Sequence, residues 1–145
     1  MQLDKFTDYA LRVLMTLAVG APARIPASEI AARFGISENH LAKVATALVR
    51  QGFVTSERGR GGGLILARPA ADIRIGQVVR ALRRDDPVVE CFGSDRSCRI
   101  LPACGLRGPL ADAREAFFAT LDAYTLADVT RPRRALAALL DLPPR

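Results

Sequence analysis

The hydrophobic period of this chain changes at Gly52, and few small folds accommodate that change. Before it, apolar residues recur at helical spacing. Phe6, Tyr9, Ala10, Val13, Leu14, Leu17 and Ala18 form a broad stripe that predicts a first helix over 5–19. Gly20 and Pro22 follow as its stop signals. Ile30, Ala31 and Phe34 predict a short second helix over 27–34, closed by Gly35. Ser37 then caps a third helix, 38–50, with Leu41, Val44, Ala45 and Leu48 inward. After Gly52 the period falls to two. Residues 53–57 and 64–67 read as short strands around the tip Arg58-Gly-Arg-Gly-Gly-Gly63. Two short helices joined by a tight glycine turn form a helix-turn-helix. A strand pair with a glycine-rich, arginine-bearing tip forms a wing. The expected fold class is therefore mainly α: a winged helix-turn-helix with a two-strand β wing, plus a long C-terminal dimerisation helix.

That last element comes from the second half of the chain. Residues 75–84 predict a helix with Val78, Val79 and Leu82 inward and Arg80, Arg83 and Arg84 outward. A connector containing Asp85-Asp86-Pro87 and a loop rich in turn residues follow. Residues 109–124 predict a long helix, with Leu110, Ala113, Phe117, Leu121 and Tyr124 at spacings of three and four and Pro109 in its first turn. Ala116 and Phe118 lie off this stripe, so the helix has apolar residues on more than one side. A helix that pairs with its copy in a homodimer needs two such faces. Residues 125–129 read as a turn and 131–140 as a last amphipathic helix. The expected division is a DNA-binding domain over 1–84, a cofactor loop over 85–108, and dimerisation and C-terminal helices over 109–145.

The 145 residues suffice for one domain with a real core, and half of them are hydrophobic. Asp4, Lys5 and Asp8 stand where a secretory leader would be apolar. No apolar run approaches the roughly 20 residues of a membrane span. The expectation is a soluble cytoplasmic protein with no membrane partner. The net charge of +6 is unevenly placed: residues 1–84 carry 13 Lys+Arg against 6 Asp+Glu, and residues 85–145 carry 8 against 9. A basic excess confined to the helix-turn-helix half is what a domain bound to double-stranded DNA carries. The glycine run is no nucleotide loop, because no Lys-Ser/Thr follows it and a strand replaces the helix. With one histidine and no nucleophile–base pair, the sequence offers no active site and no catalytic residue.

For DNA, the outward residues opening the third helix are the candidates: Ser37, Glu38, Asn39, His40 and Lys43, with Thr46 and Arg50 further along. Asn pairs bidentately with adenine, and Lys or Arg reaches guanine or phosphate. Ser28 offers a hydroxyl to phosphate at the start of the second helix. In the wing, Arg58 and Arg60 suit a narrow A·T-rich minor groove, while Gly61 and Gly62 let the backbone come close.

All three cysteines, Cys91, Cys98 and Cys104, fall within 14 residues. Gly93, Ser94, Asp95, Pro102 and Gly105 mark that stretch as loop. An odd number of clustered thiols in a reducing compartment argues for metal or redox chemistry rather than a disulfide framework. The spacing C-x6-C-x5-C is not the paired C-x2-C of a zinc ribbon. Thiolates hold zinc or iron–sulfur clusters, and three leave one position for a weaker oxygen or nitrogen donor.

A resemblance covers about residues 1–130. The start Leu3-Asp-Lys-Phe-Thr-Asp-Tyr-Ala-Leu-Arg-Val-Leu, the stretch Ile36-Ser-Glu-Asn-His-Leu-Ala-Lys-Val, the wing Arg60-Gly-Gly-Gly-Leu and the three-cysteine loop occur in this order. Together they resemble the NsrR-type nitric-oxide-sensing repressors, part of a winged-helix regulator family that also contains IscR. The resemblance implies a homodimer with a long crossing helix and one iron–sulfur cluster per subunit, [4Fe-4S] favoured over [2Fe-2S]. It implies Cys91, Cys98 and Cys104 as cluster ligands and Asp8, from the other subunit, as the fourth. IscR-type proteins carry a histidine three residues after the last cysteine, where this chain has Arg107.

The function expected is a cluster-dependent repressor that binds a two-fold operator and releases it when nitric oxide attacks the cluster. An iron- or redox-responsive regulator of the same family is the nearest alternative. A cytosolic iron–sulfur or thiol protein without a DNA role is the alternative from another class, and it leaves the helix-turn-helix and wing unexplained.

Overall fold

A computed structural model describes residues 3–83, 89–94 and 96–143. Helix α1 (Lys5–Gly20) is the central element. Asp4 caps it by accepting the Thr7 backbone N–H at 2.6 Å. Its residues Ala10, Val13, Leu14, Leu17 and Ala18 are buried, and the helix touches α3, the wing and the later helices. Gly20 is the last residue of the helix rather than the residue beyond it. A side chain there would run into Ile25.

Helices α2 (Ala27–Phe34) and α3 (Glu38–Arg50) keep the boundaries their caps dictate. Gly35 takes the left-handed conformation (φ 62°), and its N–H donates to the Ala31 and Ala32 carbonyls. That conformation is inexpensive only for glycine. Ser37 Oγ then accepts the His40 N–H at 3.3 Å. The apolar faces of α2 and α3 close on α1 through Ile30, Ala31, Leu41, Val44 and Leu48, all essentially excluded from water. Each large side chain buried this way contributes roughly 1.5–3 kcal/mol.

Strands β1 (Val54–Glu57) and β2 (Gly63–Leu66) pair antiparallel, Val54 opposite Leu66 and Glu57 opposite Gly63. The loop end of this hairpin is held along the other edge of β2. Ile25 and Leu64 exchange backbone hydrogen bonds at 3.0 and 2.8 Å. Gly63 makes that approach possible, since a Cβ there would lie 2.8 Å from the Ile25 carbonyl carbon. Arg24 adds an ion pair to Glu57 at 2.6 Å.

Helix α4 (Ile75–Leu82) buries Ile75, Val78 and Val79. Helix α5 (Arg107–Asp122) lies against it, starting two residues earlier than the sequence suggested and ending before Tyr124, which is half exposed. The close approach is at Gly76, where a Cβ would collide with the Asp122 carboxylate and lie 2.7 Å from the Phe118 carbonyl. The second apolar side of α5 is the one that packs inward here, and the outward placement of the α4 arginines changes. Phe118, off the anticipated stripe, is the buried residue of α5. Arg80 is partly exposed but not purely solvated: it pairs with Glu115 at 3.0 Å and Asp122 at 3.1 Å, with its guanidinium 4.4 Å from the Phe118 ring centroid. Desolvation alone would lower the Arg80 pKa, but the hydrogen bonds to Asp122 and Glu115 outweigh it and raise it. Arg83 is also turned inward, with its side chain 16% exposed and 3.6 Å from Asp4. The reason is shared: α4 lies between α1 and α5, so both arginines meet carboxylates from neighbouring segments.

The chain then returns to the head. Residues 125–129 are more than a turn: α6 (Leu126–Val129) starts at a capping box between Thr125 and Asp128 and buries Leu126 completely. Thr125 pairs with Arg74 as an isolated bridge. Helix α7 (Arg133–Leu139) brings Leu142 into the core, while Arg33 of α2 donates to the Leu140 carbonyl at 2.7 Å. Arg84, the Asp85-Asp86-Pro87 run and Asp95 lie outside the described residues, as do the ends of the chain.

Candidate nucleic-acid interface and cysteine loop

The DNA candidates divide by element. On α3 the buried positions 41, 44, 45 and 48 fix which residues face out. Ser37, Glu38, Asn39, Lys43, Thr46 and Arg50 are exposed. Ser28 is exposed at the start of α2. In the wing Arg58, Arg60 and Gly61 are exposed and Gly62 is half-buried. Gly59 (φ 97°) and Gly61 (φ 77°) adopt backbone angles that disfavour any side chain. Gly62 leaves no room for one, because a Cβ there would strike the Glu57 carbonyl. The wing tip is thus a tight turn with arginines on its outside and no bulk on its inside.

His40 differs from its neighbours on α3. It is half-buried, and its ring meets Tyr9 of α1 edge-on at 5.3 Å between centroids. Such a pair adds roughly 0.5–1.5 kcal/mol beyond its area. Asp8 lies one residue before Tyr9 and pairs with Arg12 at 2.7 Å, both side chains about 40% exposed. The Arg12 guanidinium also lies 5.5 Å from the ring of Phe34, the last residue of α2. The i,i+4 spacing of Asp8 and Arg12 signalled their pairing. The reach of Arg12 to Phe34 depends on the tertiary packing of α2 on α1 and left no sequence signal.

Cys91, Cys98 and Cys104 are all free thiols, Cys98 exposed and the other two half-buried. Cys91 sits in a single 3-10 turn (Glu90–Phe92), and Cys104 follows another (Leu101–Ala103). Between Arg80 and Phe117 no described residue is buried. Ile100 and Leu106, beside the cysteines, are more than 60% exposed. Among the described residues, no three His, Cys, Asp or Glu side chains come together as a metal site. The donors are nonetheless of the right kind: unpaired, accessible soft thiols, free of the core and of disulfides, suit an iron–sulfur cluster.

A family model described as Rrf2, iron-dependent transcriptional regulator, matches residues 3–132. The chain belongs to the Rrf2 family. As an Rrf2 member it is a DNA-binding transcriptional regulator, not an enzyme. It is 45% identical over 142 residues to the HTH-type transcriptional regulator NsrR of Geobacillus kaustophilus, covering 97% of each chain. It is 42% identical over 144 residues to NsrR of Bacillus subtilis, covering 98% of this chain and 99% of that one. Among solved structures it is similar to T. potens IscR, with a TM-score of 0.73 and 25% identity over 94% of this chain and 90% of that one. CymR, the global cysteine regulator of B. subtilis, shares the fold at a TM-score of 0.71. The winged helix-turn-helix reading therefore holds for this Rrf2 protein. Among its described residues, no helix is long and apolar enough to cross a membrane.

Proposed function

We propose that this Rrf2 regulator is a cytoplasmic homodimeric repressor whose hold on a two-fold DNA operator depends on an iron–sulfur cluster and is released by nitric oxide. The observation that carries the reading is the placement of every cysteine, none in a disulfide, in a stretch whose described residues bury nothing. A stretch that buries nothing needs another source of order, and thiolate–metal bonds supply one. The similarity to two NsrR regulators over nearly the whole chain supports the signal.

In this reading Cys91, Cys98 and Cys104 hold the cluster, with Asp8 of a second copy as fourth ligand and [4Fe-4S] as the favoured form. When bound, the cluster supplies iron that reacts with nitric oxide. The chain's own residues then carry the consequence. Asp8 is adjacent in sequence to Tyr9, whose ring touches His40 of α3. Its ion-pair partner Arg12 faces Phe34 of α2. A change in what Asp8 binds thus reaches both helices of the helix-turn-helix through one further residue each. A ~100-fold loss of DNA affinity needs only about 2.7 kcal/mol of coupling. In the DNA-competent arrangement, Ser37, Glu38, Asn39, His40, Lys43 and Arg50 of α3 face the major groove, Ser28 faces a phosphate, and Arg58, Arg60, Gly61 and Gly62 face the adjoining minor groove. The α5 faces left open pair with their copy.

Anaerobic purification tests this directly. The protein is expected to be brown, with iron and sulfide in comparable amounts. A colourless protein carrying zinc overturns the cluster. Nitric oxide should bleach the holo-protein and free a bound operator; retention of DNA after bleaching would leave the cluster but remove the switch.

A further inference from the structure

A cavity of about 470 Å³ opens between α7 and the C-terminal end of α1. Val19 of α1, Ala137 of α7 and Leu142 make its floor, and all three are buried. Ala138 is exposed at its side, and Arg133 and Arg134, from the first turn of α7, are exposed at its mouth. The cavity is held in shape from behind. Arg133 donates to the Ala21 carbonyl at 2.8 Å, which occupies one arm of its guanidinium and leaves the rest of the fork open. The Leu142 N–H donates to the Ala137 carbonyl at 2.9 Å, and Arg33 of α2 donates to the Leu140 carbonyl at 2.7 Å. The far end of α7 is thereby fixed against the head. Among the described residues, none of the lining is acidic, and no carboxylate pairs with Arg134.

We propose that this cavity binds an aliphatic monocarboxylate of medium chain length, with its tail on the Val19, Ala137 and Leu142 floor and its carboxylate at Arg134 and the open arm of Arg133. The volume lies within the range of small-molecule sites, which pair an apolar lining with a few polar groups that fix orientation. The floor is methyl and methylene groups without an aromatic ring, which suits an alkyl chain rather than a planar one. Two guanidinium groups without a compensating acid attract an anion, and their planar fork matches a carboxylate. The floor is buried below its charged mouth and not spread on a flat face, so the occupant is a free molecule rather than a membrane surface. The site uses neither the cysteines nor the residues of α3 and the wing, and it stands apart from the function proposed above.

The test is isothermal titration calorimetry of the full-length protein, purified anaerobically, with sodium octanoate below its micellar concentration. One octanoate per chain is expected. Hexanoate and butyrate should bind more weakly, by roughly four-fold for each methylene removed. Uncharged 1-octanol should bind at least ten-fold more weakly than octanoate. Arg134→Ala should weaken octanoate ten-fold or more and leave 1-octanol unchanged. Ala138→Trp, which fills the cavity from an exposed position, should abolish binding of both. Absence of saturable octanoate binding to the wild-type protein overturns the proposal, as does equal affinity across the chain-length series or octanoate binding that neither variant changes. Binding to phosphatidylglycerol vesicles without binding to free octanoate would make the mouth a membrane contact and overturn it as well.

Discussion

The winged head and the cysteine stretch are joined in one chain but ordered by different means. The head and α4 bury a continuous core from Thr7 to Val79, completed by Phe118, Leu126, Ala137 and Leu142 from the C-terminal helices. The described residues between Val89 and Leu106 contribute nothing to that core, include two single 3-10 turns, and expose Ile100 and Leu106. The head therefore folds on hydrophobic burial, whereas the stretch has too little buried surface to offset its backbone entropy. The lesson is a division of labour. The winged head is ordered by a core to which α5, α6 and α7 also contribute, whereas the thiols sit on a stretch that this core does not order.

Substitutions can break or sharpen that contrast. The largest effect on folding is expected from Leu48→Ala, which empties a fully buried site between α3 and α1. It should cost about 2–5 kcal/mol in urea unfolding, with or without metal. Gly76→Ala comes next, because its methyl would meet Asp122 and Phe118 where α4 and α5 cross. A loss of roughly 1–3 kcal/mol is expected. Cys98→Ala should move the apo-protein by no more than about 0.5 kcal/mol, since the residue is exposed. The same variant should lose bound iron and nitric-oxide-dependent DNA release. A strongly destabilised apo-Cys98→Ala would show that the stretch is ordered by packing, and the contrast would collapse.

The smallest effect is a matter of pH. The Asp128 carboxyl is held below its usual range by the Thr125 backbone N–H and hydroxyl, with Arg131 assisting. Its contribution is therefore present above the ordinary carboxylate pKa and fades as pH falls through the lowered value. Asp128→Asn should give up a small part of the stability present at pH 7 and converge with the wild type below about pH 4, so that the acid side of the stability profile flattens, read from denaturant midpoints.

Much of the head was legible in advance because its signals are local. Gly35 and Ser37 bracket a turn by their own conformational preferences, so α2 and α3 begin and end where those residues require. The wing announced itself through its period and its glycines. Helix α5 was harder. It showed a stripe of Leu110, Ala113, Phe117 and Leu121 and further apolar residues, Ala116 and Phe118, off it, and Phe118 is the residue buried in the fold. Periodicity identifies an apolar face but not the neighbour that will bury it. The same limit hid Arg80: an arginine on a helix reads as solvated until Glu115 and Asp122 arrive from another helix. It hid Arg12 as well, whose neighbour Phe34 belongs to α2.

The sequence by itself determined the helix-turn-helix, the wing and the gathering of three thiols, because caps, turn glycines and residue spacing act over a few positions. Tertiary structure alone decided which face of α5 is buried, how α1 touches both reading helices, and that α7 leaves a cavity against the end of α1. Those features arise between segments distant in the chain, where the energy comes from packing and ion pairs that no local pattern specifies.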